Sequence, residues 1–112
     1  MNHPLINPEE GIRLSGGSAA LYLRMLSRFA CDPTMQRLEA AVSRHDKQEA
    51  YLQAHTLKGL CAQLALPALE SEAAGLCLLL RGEEGMPAAT PQTMLTAYLC
   101  TLDAIRRFTQ CS

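Results

Sequence analysis

Apolar residues recur every three or four positions along most of the chain, and this spacing predicts amphipathic α-helices. The clearest stripe predicts a helix from about Asp46 to Ala65. It consists of Ala50, Ala54, Leu57, Cys61 and Leu64. We expect Asp46 to cap the start of this helix and Pro67 to force a turn after it, because the residue before a proline disfavours helical geometry.

Two apolar stripes precede that helix, and they are out of phase with each other. The first is Tyr22, Met25, Leu26 and Phe29, and the second is Met35, Leu38, Val42 and His45. Pro33 separates them, so the helix that begins after a Ser18 cap either kinks or breaks at this proline. A short helix over Glu9 to Leu14 is predicted upstream, with Asn7 as its cap and Pro8 in its first turn.

Two more stripes predict the last two helices of the chain. They are Leu69, Ala73, Leu76 and Leu80, and then Leu95, Tyr98, Leu102 and Ile105, all of which we expect to face inward. Thr90 and Pro91 should open the last helix. Gly75 is interpreted as a close-packing position, and residues 82–87 as a loop, the most mobile part of the domain.

These elements predict an all-α fold: an antiparallel up-down four-helix bundle with a short additional N-terminal helix. Leucine and alanine supply 35 residues while valine and isoleucine supply four, a mixture that favours helices over strands. We expect a single domain over residues 1–112, with residues 1–7 as a loose lead-in and the bundle over about 8–110.

His55 lies one residue, about 100° of rotation, away from the apolar stripe of its helix, so its imidazole should face water or the rim of the core. Lys58 and Gly59 lie one turn further on, and Ala62 lies one turn beyond them. A glycine inside a helix costs about 1 kcal/mol relative to alanine, which suggests that something large approaches His55 closely. His45 is interpreted instead as a helix cap or a core-rim residue.

The segment Ala54-His55-Thr56-Leu57-Lys58-Gly59 resembles the signature of histidine phosphotransfer (HPt) domains, which carry phosphoryl groups in two-component phosphorelays. The resemblance covers roughly residues 5 to 109. The other matching positions are Gly16, Gly17, Leu21, Tyr22, Leu26, Phe29, Leu69, Ala73 and Leu76. The chain departs from the family at Ala65, where many members have glycine, and at Cys77, where many have glutamate or glutamine. The resemblance also favours one kinked helix at Pro33, ending near Arg44.

The resemblance implies that His55 accepts a phosphoryl group from the aspartyl phosphate of a receiver domain and passes it to another receiver. Lys58 would offset phosphate charge, and Gly59 would leave room for the partner's active site. Without the surrounding motif, His55 would be read as a surface histidine with no role. The expected partner-binding residues are Tyr51, Leu52, Ala62 and Gln63, although Tyr51 and Leu52 could instead form the bundle rim and Gln63 could simply be solvated.

The expected partners are response-regulator receiver domains and an upstream hybrid sensor kinase, of which the chain could be the C-terminal module. We expect a monomer without a cofactor of its own, with Mg²⁺ held by the partner receiver. The sequence has no Gly-rich phosphate loop and no nucleophile–base pattern, so a complete kinase is excluded. Two alternatives stay open: the phospho-accepting domain of a chemotaxis-type kinase, and a helical receiver-binding adapter that carries no phosphate.

Net charge, hydropathy and cysteine spacing exclude further classes of protein. A net charge of −1 gives no basic field for nucleic acid, and the longest apolar run, residues 76–80, is far too short for a bilayer. The beginning of the chain does not resemble a signal peptide, so we expect a cytoplasmic protein. The five cysteines form no C-x-x-C pair, and we expect free thiols without metal. Cys31, Cys61, Cys77 and Cys100 should act as small apolar helix residues, and Cys111 as an exposed thiol.

Overall fold

A computed structural model describes residues 3–83 and 85–110, and this part of the chain contains six helices and no strand. The helices are α1 (Pro8–Leu14), α2 (Ala19–Ala30), α3 (Thr34–Ser43), α4 (Lys47–Leu64), α5 (Pro67–Arg81) and α6 (Gln92–Gln110). Helices α2 and α3 together form one leg of a four-legged bundle, and α4, α5 and α6 form the others. The predicted all-α bundle with a short N-terminal helix is confirmed.

Three helices begin where side-chain caps were predicted. The side chains of Asn7, Ser18 and Asp46 accept hydrogen bonds from the backbone N–H groups three residues later, at 3.3, 3.1 and 3.1 Å. Each bond satisfies one of the amide groups that the first turn of a helix leaves without an internal partner. The start of α4, which carries His55, is therefore fixed by its own sequence.

The single kinked helix expected at Pro33 is wrong, because the chain breaks into α2 and α3 there. Proline has no N–H to continue the hydrogen-bond ladder, and it disfavours helical geometry at Asp32. The Asp32 side chain accepts hydrogen bonds from the backbone N–H and the hydroxyl of Thr34, at 2.8 and 2.5 Å. This local turn precedes α3, a new helix that begins at Thr34 and ends at Ser43, close to the predicted end at Arg44.

His45 closes the end of α3. Its backbone is left-handed, with φ of 57°, and the following N–H, that of Asp46, donates to the carbonyl of Ala41 at 2.9 Å. A left-handed residue directly after a helix is a common way to satisfy the last carbonyls. Of the two roles expected for His45, the cap agrees with this geometry, whereas its exposed side chain does not belong to the rim of the core.

The core lies between the four legs. All five residues of the predicted α4 stripe are buried, as are the four of the predicted α5 stripe. In α6 the inward face differs from the prediction, since Leu95 and Leu102 are only half-buried. The buried residues of α6 are Met94, Tyr98, Thr101 and Ile105. Two of the four inward positions of α6 are therefore one residue earlier than the leucine pattern suggested, and Tyr98 and Ile105 are inward as predicted.

Tyr22 connects three helices at one end of the bundle. Its fully buried phenol donates a hydrogen bond to the carbonyl of Leu64 in the last turn of α4, at 2.8 Å. Gly11 of α1 packs directly on the Tyr22 ring, so closely that a Cβ at this position would collide with the ring carbons. Burial raises the pKa of Tyr22 to about 12, which keeps the phenol a hydrogen-bond donor.

The α4–α5 turn is built on Ala65, which adopts a left-handed backbone conformation with φ of 57°. Glycine is favoured in this conformation, and the chain makes the turn with alanine instead. Within the lead-in that was expected to be loose, Pro4 and Asn7 are bound to this turn, because Asn7 N–H donates to Ala65 O at 2.9 Å and Ala68 N–H donates to Pro4 O at 3.1 Å. These bonds give backbone groups of the turn their partners.

The α5–α6 loop is attached to the bundle at its first residues. The ammonium group of Lys47 donates to the carbonyl of Gly82 and, at 3.3 Å, to that of Glu83. Gly85 is buried against the end of α5, where a Cβ would collide with the carbonyl oxygen of Leu79. Gly75 was expected to be a close-packing position, and this is wrong: it is exposed, and a Cβ added there would meet nothing within 4 Å.

The four described cysteines are free thiols, and they occupy two environments. Cys61 and Cys77 are buried helix residues, in agreement with the prediction, whereas Cys100 is exposed on α6 and Cys31 is exposed just after the end of α2. Cys111 lies outside the described residues. Among the described residues, none of the helices combines the length and the apolar character that crossing a membrane requires.

Candidate functional site

His55 is exposed in the middle of α4, a helix that contacts α1, α2, α3 and α5. Its neighbours Ala54 and Leu57 are 0% and 1% exposed, so they hold this turn of the helix against the core. Because successive residues are rotated by about 100°, the same packing directs the His55 side chain outward. The imidazole is therefore accessible on a backbone that is fixed from behind.

Tyr51 lies one turn before His55, and its ring is stacked on the imidazole. The two ring centroids are 6.0 Å apart and the ring planes differ by 15°. Tyr51 is half-buried and also packs against the hydrophobic core. It was expected either at the bundle rim or in a docking patch, and its position combines a rim contact with a direct contact to His55.

Lys58 and Gly59 follow His55 by one turn of α4. Lys58 is half-buried and Gly59 is exposed, with open space where a Cβ would stand. Ala62, one turn further, is also exposed and small. The helix surface beyond the imidazole therefore carries the small residues Gly59 and Ala62, with Lys58 beside them, as the spacing of these residues suggested.

A second cation, Arg81, lies at the end of α5, the helix next to α4. Burial raises the pKa of the Cys77 thiol, while the positive charges of Lys58 and Arg81 act in the opposite direction. Both positive charges therefore act on the pKa of one thiol between α4 and α5. Because these helices are antiparallel, moving one turn along α5 from Cys77 to Arg81 corresponds to moving back along α4 from Lys58 towards His55. Arg81 directly precedes Gly82, whose carbonyl accepts a hydrogen bond from Lys47, so Arg81 lies on the side of Cys77 towards the start of α4.

Exposed leucines are also present on both helices near His55. Leu52 is 54% exposed, one turn before His55 on α4, and Leu78 is 68% exposed, directly after Cys77 on α5. Beside the imidazole the surface forms a shallow open depression. Its lining residues are Asp46, Gln48, Glu49, Tyr51, Leu52 and His55. Apolar side chains that remain in water next to an accessible imidazole form a surface suited to contact with another protein.

Gln63 lines a different depression, a groove between α2 and α4. It is exposed, about 80° around α4 and about 12 Å along it from His55. The other lining residues of the groove are Met25, Arg28, Phe29, Asp32, Leu60 and Leu64. Leu60 and Leu64 are about 140° and 180° around α4 from His55, so the helix itself separates most of this groove from the imidazole.

The chemistry available at the site is limited. Within residues 3–83 and 85–110, no group of three or more His, Cys, Asp or Glu side chains could hold a metal ion. The Tyr51 ring stacks on the imidazole, and a phenol is not a base at neutral pH. An accessible imidazole with flanking cations suits an acceptor of a negatively charged group that a partner delivers.

Comparison with known families agrees with this geometry. The family model of the Hpt domain matches residues 22–107, which is most of the chain and includes α4 and α5. Searches of curated proteins and of solved structures gave no match. The chain belongs to the Hpt domain family, and its function is histidine phosphotransfer in two-component signalling. Hpt domains are phosphocarrier modules that act with receiver domains and kinases and are not enzymes in themselves.

Two exposed residues of α5 do not stand out in the sequence. Arg81 and Leu78 lie on α5, where the family pattern draws attention to Cys77 alone on the side towards His55. The sequence does hold one indication of their position. Two antiparallel helices joined by a short turn bring residues after Cys77 alongside residues before Lys58. Periodicity assigns such residues to the solvated face and so does not single them out.

Proposed function

We propose that His55 is the phosphoryl carrier and that the chain relays a phosphoryl group between receiver-domain aspartates. The observation that carries this proposal is the exposed imidazole, next to a cation and an open glycine, on a helix held by four others. A carrier must present its nucleophile to successive partners without moving its backbone, and α4 meets that requirement.

The transfer step needs little from this chain beyond positioning. A neutral imidazole nitrogen attacks phosphorus, the new N–P bond forms as the O–P bond to the donor aspartate breaks, and the aspartate carboxylate leaves with the electron pair. The second transfer runs the same exchange in reverse onto another aspartate. Charge neutralisation and in-line geometry dominate such steps, and the receiver would supply Mg²⁺ and its acidic pocket.

The cations on α4 and α5 fit the charge of the product. Phosphohistidine brings close to two negative charges at pH 7, and Lys58 lies one turn away on the same helix. Arg81 would act from the neighbouring helix α5. Cys77 on the same helix is only a weak hydrogen-bond donor. We therefore assign Lys58 and Arg81 to stabilising the phosphorylated state.

The receiver would dock on the surface around His55. Gly59 and Ala62 leave it room, and the exposed side chains of Leu52 on α4 and Leu78 on α5 offer apolar contacts. Gln63 lines the α2–α4 groove, so it would touch only a partner broad enough to reach along α4. In this proposal the partner is a receiver domain, upstream of which stands a hybrid sensor kinase, and the relay operates in the cytoplasm with a monomeric carrier.

The two rival functions differ from the relay in the source of the phosphoryl group or in the absence of phosphorylation. A phospho-accepting domain of a chemotaxis-type kinase would take its phosphoryl group from ATP on a separate kinase domain. A pure adapter would bind receivers without accepting phosphate, and the cysteine in place of a polar residue at Cys77 is the feature that favours it. Arg81 reduces the weight of that feature, because it offers a charged donor one turn further along the same helix.

The test uses a panel of purified receiver domains phosphorylated with acetyl phosphate, and potassium phosphoramidate as a small donor. The chain should gain one phosphoryl group from at least one receiver and return it when an unphosphorylated receiver is added. Uptake only from an ATP-charged kinase domain would identify the chemotaxis-type alternative. Receiver binding without any phosphate uptake from receivers or phosphoramidate would identify the adapter.

A further inference from the structure

Tyr51 contacts the reactive ring directly, and the family motif around His55 does not explain this contact. The two rings lie nearly parallel, with 15° between their planes and 6.0 Å between their centroids. This separation is within the range of offset-stacked aromatic pairs, which contribute beyond the apolar area that they bury. The pair is local to α4, since residues four apart lie one above the other on a helix.

Tyr51 differs from the other residues around His55 in how firmly it is held. It is half-buried and packs against the core cluster, whereas Leu52, Gly59 and Ala62 are exposed. A side chain on a helix that is pinned by core packing has few rotamers left. The Tyr51 ring is therefore held in place by the core, and offset stacking against it restricts the rotation of the imidazole.

We propose that Tyr51 is a positioning residue for phosphoryl transfer, which holds the His55 imidazole by stacking so that its reactive nitrogen points at the incoming phosphorus. This inference rests on the proposed carrier role of His55. An exposed imidazole otherwise rotates freely about two side-chain bonds, and in-line attack requires one orientation. The stack supplies that orientation before the partner arrives. It also leaves the opposite face of the ring and its edge open to the receiver.

The stack gives Tyr51 a role that differs from simple docking. A docking residue contributes to receiver binding and should change KM, whereas a positioning residue should change kcat with little effect on KM. Leu52 provides the comparison, because it is adjacent in sequence and exposed and its side chain has no ring to stack on His55. Leu52→Ala should act on KM, and Tyr51 variants should act on kcat.

Two variants separate stacking from packing. Tyr51→Phe keeps the ring, and Tyr51→Leu keeps an apolar side chain and good helix propensity but removes the ring. In proton NMR of the unphosphorylated chain, the His55 ring signals should stay shifted by the neighbouring ring in the Phe variant. In the Leu variant they should move towards the values of a free histidine. Phosphoryl transfer from the most active receiver of the panel should fall by about threefold to tenfold in kcat for Leu, the range that an aromatic pair can produce, and recover with Phe.

Each outcome has one meaning. The positioning role is wrong if the His55 ring signals of Tyr51→Leu coincide with those of the wild-type chain. It is also wrong if these signals move and kcat stays unchanged. If the loss in Tyr51→Leu occurs in KM alone, Tyr51 is a docking residue and the proposal is overturned. If the wild-type chain takes phosphate from no receiver and from no phosphoramidate, the carrier role of His55 fails first, and the NMR comparison still decides whether the stack exists.

Discussion

The phenol of Tyr22 donates a hydrogen bond to the carbonyl of Leu64, 2.8 Å away, and this bond ties α2 to the last turn of the helix that carries His55. Helix termini leave carbonyls without internal partners, so the bond satisfies a group that would otherwise be buried without a donor. It fixes the end of α4 opposite to the Asp46 cap, and the two anchors together hold the His55 turn between them.

Removing this hydroxyl should destabilise the bundle without touching the site. Tyr22→Phe should lower the free energy of unfolding by about 1–2 kcal/mol, because the Leu64 carbonyl loses its buried donor. Urea unfolding at pH 7 measures the change. An unaltered midpoint would mean that water replaces the phenol at no cost.

The same residue predicts a pH dependence in alkaline solution. Burial raises the pKa of Tyr22 to about 12 from an ordinary value of 10.0, so between these values the unfolded chain loses a proton that the folded chain keeps. Tyr22 therefore stabilises the fold fully below pH 10, and this contribution falls as the pH rises towards 12. The stability difference between the wild-type chain and Tyr22→Phe should shrink across that interval in urea titrations, and a difference independent of pH would contradict the burial of the phenol.

Gly59 should show opposite effects on stability and transfer. A Cβ at this position meets nothing within 4 Å, so Gly59→Gln should stabilise α4 by about 0.5–1 kcal/mol through helix propensity. It should also slow phosphoryl transfer, because a long side chain would occupy the space next to the imidazole. Gly75→Gln is the matched control: it is equally open on α5 and should give the helix gain with no loss of transfer. Transfer at the wild-type rate in Gly59→Gln would exclude the clearance role.

The two cations should affect the phosphorylated state more than the free one. Lys58→Gln and Arg81→Gln should each shorten the lifetime of phosphohistidine severalfold, because each removes a positive charge near the new phosphate. Arg37→Gln on α3, which contacts neither α5 nor α6, is the control. Hydrolysis of the isolated phosphorylated chain, followed by mass spectrometry, gives the lifetimes. An effect of Lys58 alone would remove Arg81 from the site.

Periodicity and caps were sufficient to predict much of α4 and its site. Ala50, Ala54 and Leu57 define the buried side of the helix, and an N-cap at Asp46 defines its start, so the outward direction of His55 followed from helix geometry alone. The break at Pro33 did not follow, because kinking and breaking share one pattern and the decision rests on the bonds that Asp32 makes to Thr34.

Tertiary packing decided the remaining positions. Gly59 was expected to be open and Gly75 to be closely packed, and the fold shows that both are open to solvent. Thr101 of α6 is fully buried, whereas the leucine pattern had predicted that Leu102, which is only half-buried, faces inward. The stack of Tyr51 on His55 depends on a side-chain rotamer, which the spacing of four residues permits but does not determine.

The most direct test of the account compares two histidines under one donor. His55 and His45 are both exposed, so His55→Gln and His45→Gln remove the same chemistry from two accessible positions. Each variant and the wild-type chain would be incubated with the active phosphorylated receiver, digested, and mapped by mass spectrometry for a phosphoryl group that acid removes and base preserves. The account predicts one such group in the wild-type chain and in His45→Gln, and none in His55→Gln at an unchanged melting temperature. Acid-labile phosphate in His55→Gln would contradict it.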